Sequence, residues 1–477
     1  MLECSRLAAG ACAAAVCDLM KRVHFHLRVV LLLWILGGVA VTHAAGKAGV
    51  GDVPLKRSGL VRVVEHGLQD DGGPFLGLGV SYFPALWRCR NDRPRLEQDL
   101  AFLSRQGFNY YRLLSMVGWN PAWSGREIAP VSFTNRAGKL VAAWPDYWKQ
   151  LGELIDLGYD RYGLRAQITV FADAQLMPQP PDRLTHLHRL LDEIVRGREA
   201  KIILIEVANE AWQNGFPGEA GVRELREFTR FLGARTPVLI ATTSNHLDDF
   251  AKLYARSAAD IATWHFSRDR ADDGWKPVYD CWELGLRPGF PPVSSNEPIG
   301  PGASVAGETS SIRLVMAAAF AYVAKLPMYV FHSEAGVFGT TSFAGTPAIA
   351  DFHALRQILP ADLPAWQRND GKEADAPFTV FAGGQPDRYV TAIPASRDGC
   401  VRNVGSRKGN RFVCLPMGIR PAGLQLAART GLAMDVIHPL TGNIFRSVKL
   451  KAGERIVLPP GPGAWILLGH EVSGAQG

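Results

Sequence analysis

The sequence predicts an α/β protein, a (β/α)8 TIM barrel followed by a small antiparallel β-sandwich domain. Three observations predict it. From about residue 75, short apolar runs alternate with longer amphipathic ones over about 280 residues, as parallel strands joined by right-handed helical crossovers do. No GxGxxG follows the first apolar run, which argues against a dinucleotide-type open sheet. Beyond about residue 375 the helical period disappears, and short β-like runs recur between turn residues.

Taken in order, the strand runs are Phe75–Phe83, Phe108–Met116, Leu164–Phe171, Lys201–Ala208, Pro237–Thr243, Asp260–Phe266, Pro292–Asn296 and Met328–Phe331. Helical segments are expected at 95–107, 144–162, 183–196, 222–233, 247–256, 310–326 and 350–359. Eight units of this size close more readily as a barrel than as a doubly wound sheet. The barrel is expected over residues 60–365, a linker at 369–373, and the β-sandwich over 375–477. A chain of 477 residues has room for both.

Residues 1–45 have a different character. A basic stretch from Lys21 to Arg28 precedes the apolar run Val29–Val41, and small residues follow at 44–45. That is the layout of a secretory signal peptide, with Met20 a possible start. The apolar run has 13 residues, short of the ~20 that a spanning helix needs. The expectation is a secreted or periplasmic protein with no membrane span in the mature chain. Of the net charge of +7, +2 falls in the first 44 residues, leaving +5 without a basic stripe. No nucleic-acid partner is expected from such a distribution.

Three of the seven cysteines lie in the leader; Cys89, Cys281, Cys400 and Cys414 remain. An even number in an exported chain permits disulfides. Cys400 and Cys414 flank an expected hairpin, which leaves Cys89 and Cys281 as the other candidate pair; four free thiols are the alternative. No cysteine or histidine spacing suggests zinc. His186 and His188, two apart on an expected helix, do not face each other and are expected at the surface.

In such a barrel, reactive groups gather where strands end on the C-terminal face. Strand 4, KIILIEVANEAW, ends in Asn209 and Glu210, with Trp212 next to them. Strand 7 runs into Glu297 in PPVSSNEPIG. Two carboxylates on one rim can act on a single glycosidic bond, one protonating the leaving oxygen and one attacking the anomeric carbon. Glu334, at the end of strand 8, is the rival for the second role. Glu206 suits a buried, paired support.

The run Glu206-Val207-Ala208-Asn209-Glu210 resembles the strand-4 signature of clan A glycoside hydrolases, the cellulase-like (β/α)8 superfamily. The resemblance implies a retaining glycosidase acting on oligo- or polysaccharide without a cofactor or metal. It implies Glu210 as acid/base, Asn209 as partner of the sugar 2-hydroxyl, and Glu297 as nucleophile. Arg112 in YYRLL is similar to the strand-2 arginine that contacts the nucleophile, and His265 in TWHFS to the strand-6 His or Tyr. Ala211 stands where many members have proline, and His332-Ser333-Glu334 where cellulases have a strand-8 tryptophan.

Aromatic residues near strand ends, among them Tyr82, Trp119, Trp123, Trp212 and Trp264, are candidates for stacking on the CH faces of sugar rings. The competing readings are a catalytically silent carbohydrate-binding barrel and a metal-dependent hydrolase. The latter would draw its ligands from Asp173, His265 and His332. The β-domain is expected to pack on the barrel rather than to bind independently.

Overall fold

In the computed structural model, the described residues are 56–477 without 245–246, 266–283, 285–286, 299, 303–306, 370–376, 383–384, 387–393, 397–398, 401–404, 417–423, 460–463 and 473–477. The expected leader, Cys281 and most of the expected linker therefore lie outside the described residues.

Eight parallel strands form a nearly closed barrel. They are β1 (Gly77–Ser81), β2 (Tyr110–Leu114), β3 (Arg165–Phe171), β4 (Ile202–Ala208), β5 (Ile240–Thr243), β6 (Ala262–Trp264), β7 (Val293–Ser295) and β8 (Met328–Phe331). All eight fall where the apolar runs place them. Hydrogen-bonded pairing runs from β5 through β4, β3, β2 and β1 to β8. β6 and β7 pair with each other, and the Asp260 N–H reaches Ile240 O at 2.8 Å across the β5–β6 seam. The strands are buried throughout, as expected of a parallel sheet covered on both faces.

The helices follow their caps and periods. The helix Tyr147–Tyr162 stops at Gly163, which adopts φ +69° at its C-terminal end, a conformation that glycine supplies without a Cβ clash. The segment after β8 departs from the sequence reading. It forms two short turns, Ile349–Phe352 and Leu355–Ile358, instead of one helix. The first is a 3₁₀ turn and the second a single α-helical turn, with His353 and Ala354 in a turn between them.

A short antiparallel ribbon, Arg62–Val64, Gly67–Asp70 and Gly73–Phe75, precedes β1 and was not anticipated. Val61, Leu68 and Phe75 cluster with Tyr110, Leu239, Ile261 and Met328 at the strand starts, so the ribbon plugs the N-terminal mouth. Buried Asp70 fastens it, accepting from Arg57 at 2.9 Å and from Arg165 of β3 at 2.8 Å.

The C-terminal region is a sandwich of two antiparallel sheets. One has six strands in the order 367–368, 405–408, 411–414, 466–471, 432–437, 444–450; the other has four, 385–386, 378–382, 424–428, 455–457. Period-2 alternation decides what each face touches. Phe412 and Cys414 face Phe378, Leu426 and Ile456 inside the sandwich, while Val413, Leu415 and Ile466 merge with the barrel core. Burial of a side chain of this kind is worth about 1.5–3 kcal/mol, so the shared face makes the sandwich a packing partner of the barrel.

The cysteine pairing expected from sequence is not formed. Cys89 and Cys414 are buried free thiols. In the hairpin the cross-strand partner of Cys414 is Gly405, and Cys400 belongs to a separate ribbon opposite Pro394. Cys89 lies over a helix, its Sγ donating to Gln150 O at 3.6 Å, and burial pushes its thiol up to about 11.

Candidate active site

The C-terminal ends of the strands supply a connected polar cluster. Arg112, on β2, is fully buried and acts as its hub. Its Nε donates to Glu206 Oε2 at 3.0 Å, Nη1 to Glu297 Oε1 at 2.7 Å, and Nη2 to Asn209 Oδ1 at 2.7 Å. The planar fork of a guanidinium suits three divergent acceptors where an ammonium would not. Burial alone would lower the pKa of Arg112, but the Glu206 and Glu297 carboxylates outweigh it and raise it. Glu206, also fully buried, further accepts from Thr169 Oγ1 and Asn296 Nδ2, each at 2.7 Å. It is the paired support its position suggests, since it is satisfied entirely within the protein.

Asn209 and Glu210 leave β4 in unusual backbone geometry. Glu210 has φ +43°, a left-handed conformation that costs a non-glycine residue of order 1 kcal/mol or more unless its surroundings enforce it. Ser244, just past β5, is part of that enforcement. Its Oγ accepts the Glu210 N–H at 3.1 Å and donates to Asn209 Oδ1 at 3.3 Å. With Oδ1 accepting from both Arg112 and Ser244, the Asn209 amide is oriented so that its NH2 is the group left for a ligand. The Glu210 side chain accepts from Gln213 Nε2.

His265, at the end of β6, stands between the two glutamates. Its Nδ1 is 3.2 Å from Glu210 Oε1 and its Nε2 is 3.4 Å from Glu297 Oε1. Neither contact has the alignment of a hydrogen bond. One donor atom each from Glu210, His265 and Glu297 lies within 4.8 Å of the others. His332, ending β8, accepts or donates at Nδ1 with Ser81 Oγ at 2.8 Å, and its Nε2 is 3.9 Å from Glu297 Oε2.

These groups open on a cleft of about 390 Å³ lined by Asn209, Glu210 and Glu297, with Trp119, Trp123 and Asp173 among the wall residues. Glu334 is not part of it; its carboxylate is taken up by Thr340 and Thr341. Trp212 lies beside the site, its ring 6.5 Å from that of His265.

Two expected ligand aromatics do not reach the cleft. Tyr82 is fully buried, donates to Asp99 Oδ2 at 2.8 Å and packs edge-on against Phe343. Trp264 is buried against Phe250 of the preceding helix, Leu247–Tyr254. Each is one residue away from an inward-facing neighbour, Phe83 or His265, so the pleat turns it toward the helical layer. His188 is exposed as expected, but His186 is buried among Tyr147, Trp148 and Phe171, and burial lowers its pKa to about 4.

Sequence reasoning passed over Ser81, Thr169, Ser244 and Asn296. All four stand in or just past the last turns of barrel strands, the positions that yielded Glu210 and Glu297, and small hydroxyl or amide residues there were the available signal.

No protein-family model matches the chain, and no curated protein matches it in sequence. Solved structures do. A structure described as a glycoside hydrolase aligns over 87% of this chain and 97% of its own, with TM-score 0.60 and 11% identity. A family 5 glycoside hydrolase from Bacteroides vulgatus aligns over 87% of this chain and 94% of its own, with TM-score 0.60 and 12% identity. At such identity the likeness is one of fold: a barrel carrying a β-domain.

Proposed function

We propose that this protein is a retaining glycoside hydrolase that cleaves an O-glycosidic, β-linked bond by double displacement, with Glu297 as nucleophile and Glu210 as acid/base. The observation that carries the reading is the approach of the two carboxylates: an oxygen of each lies within 4.8 Å of one on the other, at one rim of the barrel. Retaining enzymes hold their carboxyl groups about 5–5.5 Å apart, whereas inverting ones leave about 6.5–9.5 Å for a water.

The chemistry follows from the geometry. Glu297, oriented by Arg112, attacks the anomeric carbon while Glu210 gives its proton to the departing oxygen. The C–O bond breaks and a glycosyl ester forms. Glu210 then takes a proton from water, whose oxygen displaces Glu297 and restores the starting configuration. Asn209 offers its NH2 to the 2-hydroxyl, and His265, in contact with both carboxylates, supports their placement. Trp119 and Trp123 supply apolar faces for the sugar. The likeness in fold to two solved structures, both described as glycoside hydrolases, supports this reading, as does an N-terminal segment 1–45 with the layout of an export signal, which would place the enzyme in the periplasm or outside the cell.

A second reading comes from the same atoms. Glu210, His265 and Glu297 could offer one ligand each to a divalent cation. The guanidinium 2.7 Å from Glu297 Oε1 puts a positive charge beside that position and weighs against it.

The test is proton NMR of the first-formed product on a panel of aryl β-glycosides. Release of the β-anomer, unaffected by chelator, is expected. Release of the α-anomer, or activity abolished by chelator, would refute the double displacement.

A further inference from the structure

The two-glutamate chemistry leaves one cleft carboxylate unused. Asp173 follows the end of β3 and lines the same cleft as Glu210 and Glu297. Its Oδ2 accepts two backbone N–H groups, from Gly118 at 2.8 Å and Trp119 at 2.9 Å. Those bonds fix the carboxylate plane and tie it to the loop that carries Trp119 into the cleft. Oδ1 has no hydrogen-bond partner among the described residues, and Asp173 remains partly exposed. No cation among the described residues pairs with it. Arg136 lines the same cleft but is itself exposed.

Burial pushes the Asp173 carboxyl up, and the two backbone amides offset part of that. Oδ1, open to the cleft, is an oriented acceptor at which a ligand's donor can replace water. A carboxylate accepts and does not donate, so the matching group is a donor, which on a neutral sugar ring is a hydroxyl. Trp119, which lines the same cleft, supplies an aromatic ring of the kind on which the CH face of a pyranose stacks.

We infer that Asp173 is a specificity-determining residue: Oδ1 accepts a hydroxyl of a sugar ring stacked near Trp119, which makes this part of the cleft a subsite for a neutral, hydroxylated ring rather than one bearing an anionic group. The inference rests on the glycosidase reading, and adds to it the polarity of the bound sugar.

Asp173→Asn separates binding from loop support. The amide oxygen can still accept from Gly118 and Trp119, while the cleft-facing acceptor becomes a donor. On the neutral aryl glycoside that the wild type cleaves fastest, kcat/KM should fall about 10- to 100-fold with the melting temperature unchanged, the range for losing a hydrogen bond to a charged group. A series of monodeoxy analogues assayed with the wild type needs no variant. One analogue should lose a similar factor, and on that analogue the two enzymes should be equal. Wild-type kcat/KM in Asp173→Asn, no sensitive position in the monodeoxy series, or preference for an aryl uronide over its neutral counterpart would overturn the inference. Absence of aryl-glycoside hydrolysis by the wild type would instead overturn the glycosidase reading beneath it, and full activity in Glu210→Gln and Glu297→Gln the roles given to the two glutamates.

Discussion

Replacing Arg112 by methionine probes the site and the fold together. The side chain is fully buried and donates to three acceptors, Glu206, Glu297 and Asn209. Methionine fills much of the volume but leaves Glu206 buried, with Thr169 and Asn296 as its remaining donors. Removing one partner of a buried ion pair costs about 3–5 kcal/mol, because an uncompensated charge stays behind. Against a typical total of about 5–15 kcal/mol, that is about a fifth or more of the stability. The barrel is expected to remain folded at 25 °C, with a melting temperature lower by on the order of 5–15 °C. Activity should fall at least ~100-fold, since Glu297 and Asn209 both lose the group that orients them. Arg112→Lys keeps the charge but not the fork, and should lose less stability while remaining impaired in kcat. Urea unfolding followed by circular dichroism, with kcat measured on the same preparations, makes the comparison. A wild-type unfolding midpoint together with wild-type kcat in Arg112→Met would refute the hub assigned to this residue.

Other perturbations follow from the same contacts. Ser244→Ala removes the hydroxyl that holds the Glu210 N–H and Asn209 Oδ1; kcat should drop about 10-fold with little change in melting temperature, and Ser244→Thr should restore part of it. His186 has its pKa lowered to about 4 by burial, so the unfolded chain, titrating near 6.5, binds the proton more tightly. The stability from this group is therefore complete above pH ~6.5 and is lost as the pH falls toward 4, by about 3 kcal/mol in total. His186→Phe should flatten urea midpoints between pH 7 and 4.5; an unchanged slope would contradict the assignment. Cys89 and Cys414, free and buried, should react with a thiol reagent on unfolding and resist it in the native protein, whereas a Cys400–Cys414 disulfide in the peptide map would show the hairpin register to be wrong.

Much of the architecture was legible because parallel barrel strands, buried on both faces, appear in sequence as uninterrupted apolar runs. The polar residue that closes such a run stands on the reactive rim, and this located Asn209, Glu210 and Glu297, whereas Arg112 and His265 came from the resemblance to clan A glycoside hydrolases. The same rule misled for Tyr82 and Trp264, because proximity to a strand end does not fix which way a side chain points. The pleat does, and counting by twos from His265 or Phe83 would have turned both toward the helices. The ribbon at 62–75 escaped notice because its strands are three or four residues long, too short to show alternation. Cys414 was misassigned because a hairpin register set by the Gly409-Asn410 turn cannot be read from cysteine spacing alone. Ser244 acts on Glu210 across the β4–β5 gap, a contact that exists only once the barrel closes.

In the proposed double displacement, Glu297 is the carboxylate that attacks the sugar. Incubation with activated 2-deoxy-2-fluoro-β-glycosides, followed by proteolysis and mass spectrometry, traps the attacking residue as a stable ester. A single modification at Glu297 is the predicted result. A label on Glu334 or on Glu210, or turnover of the reagents with no trapped ester, would contradict it.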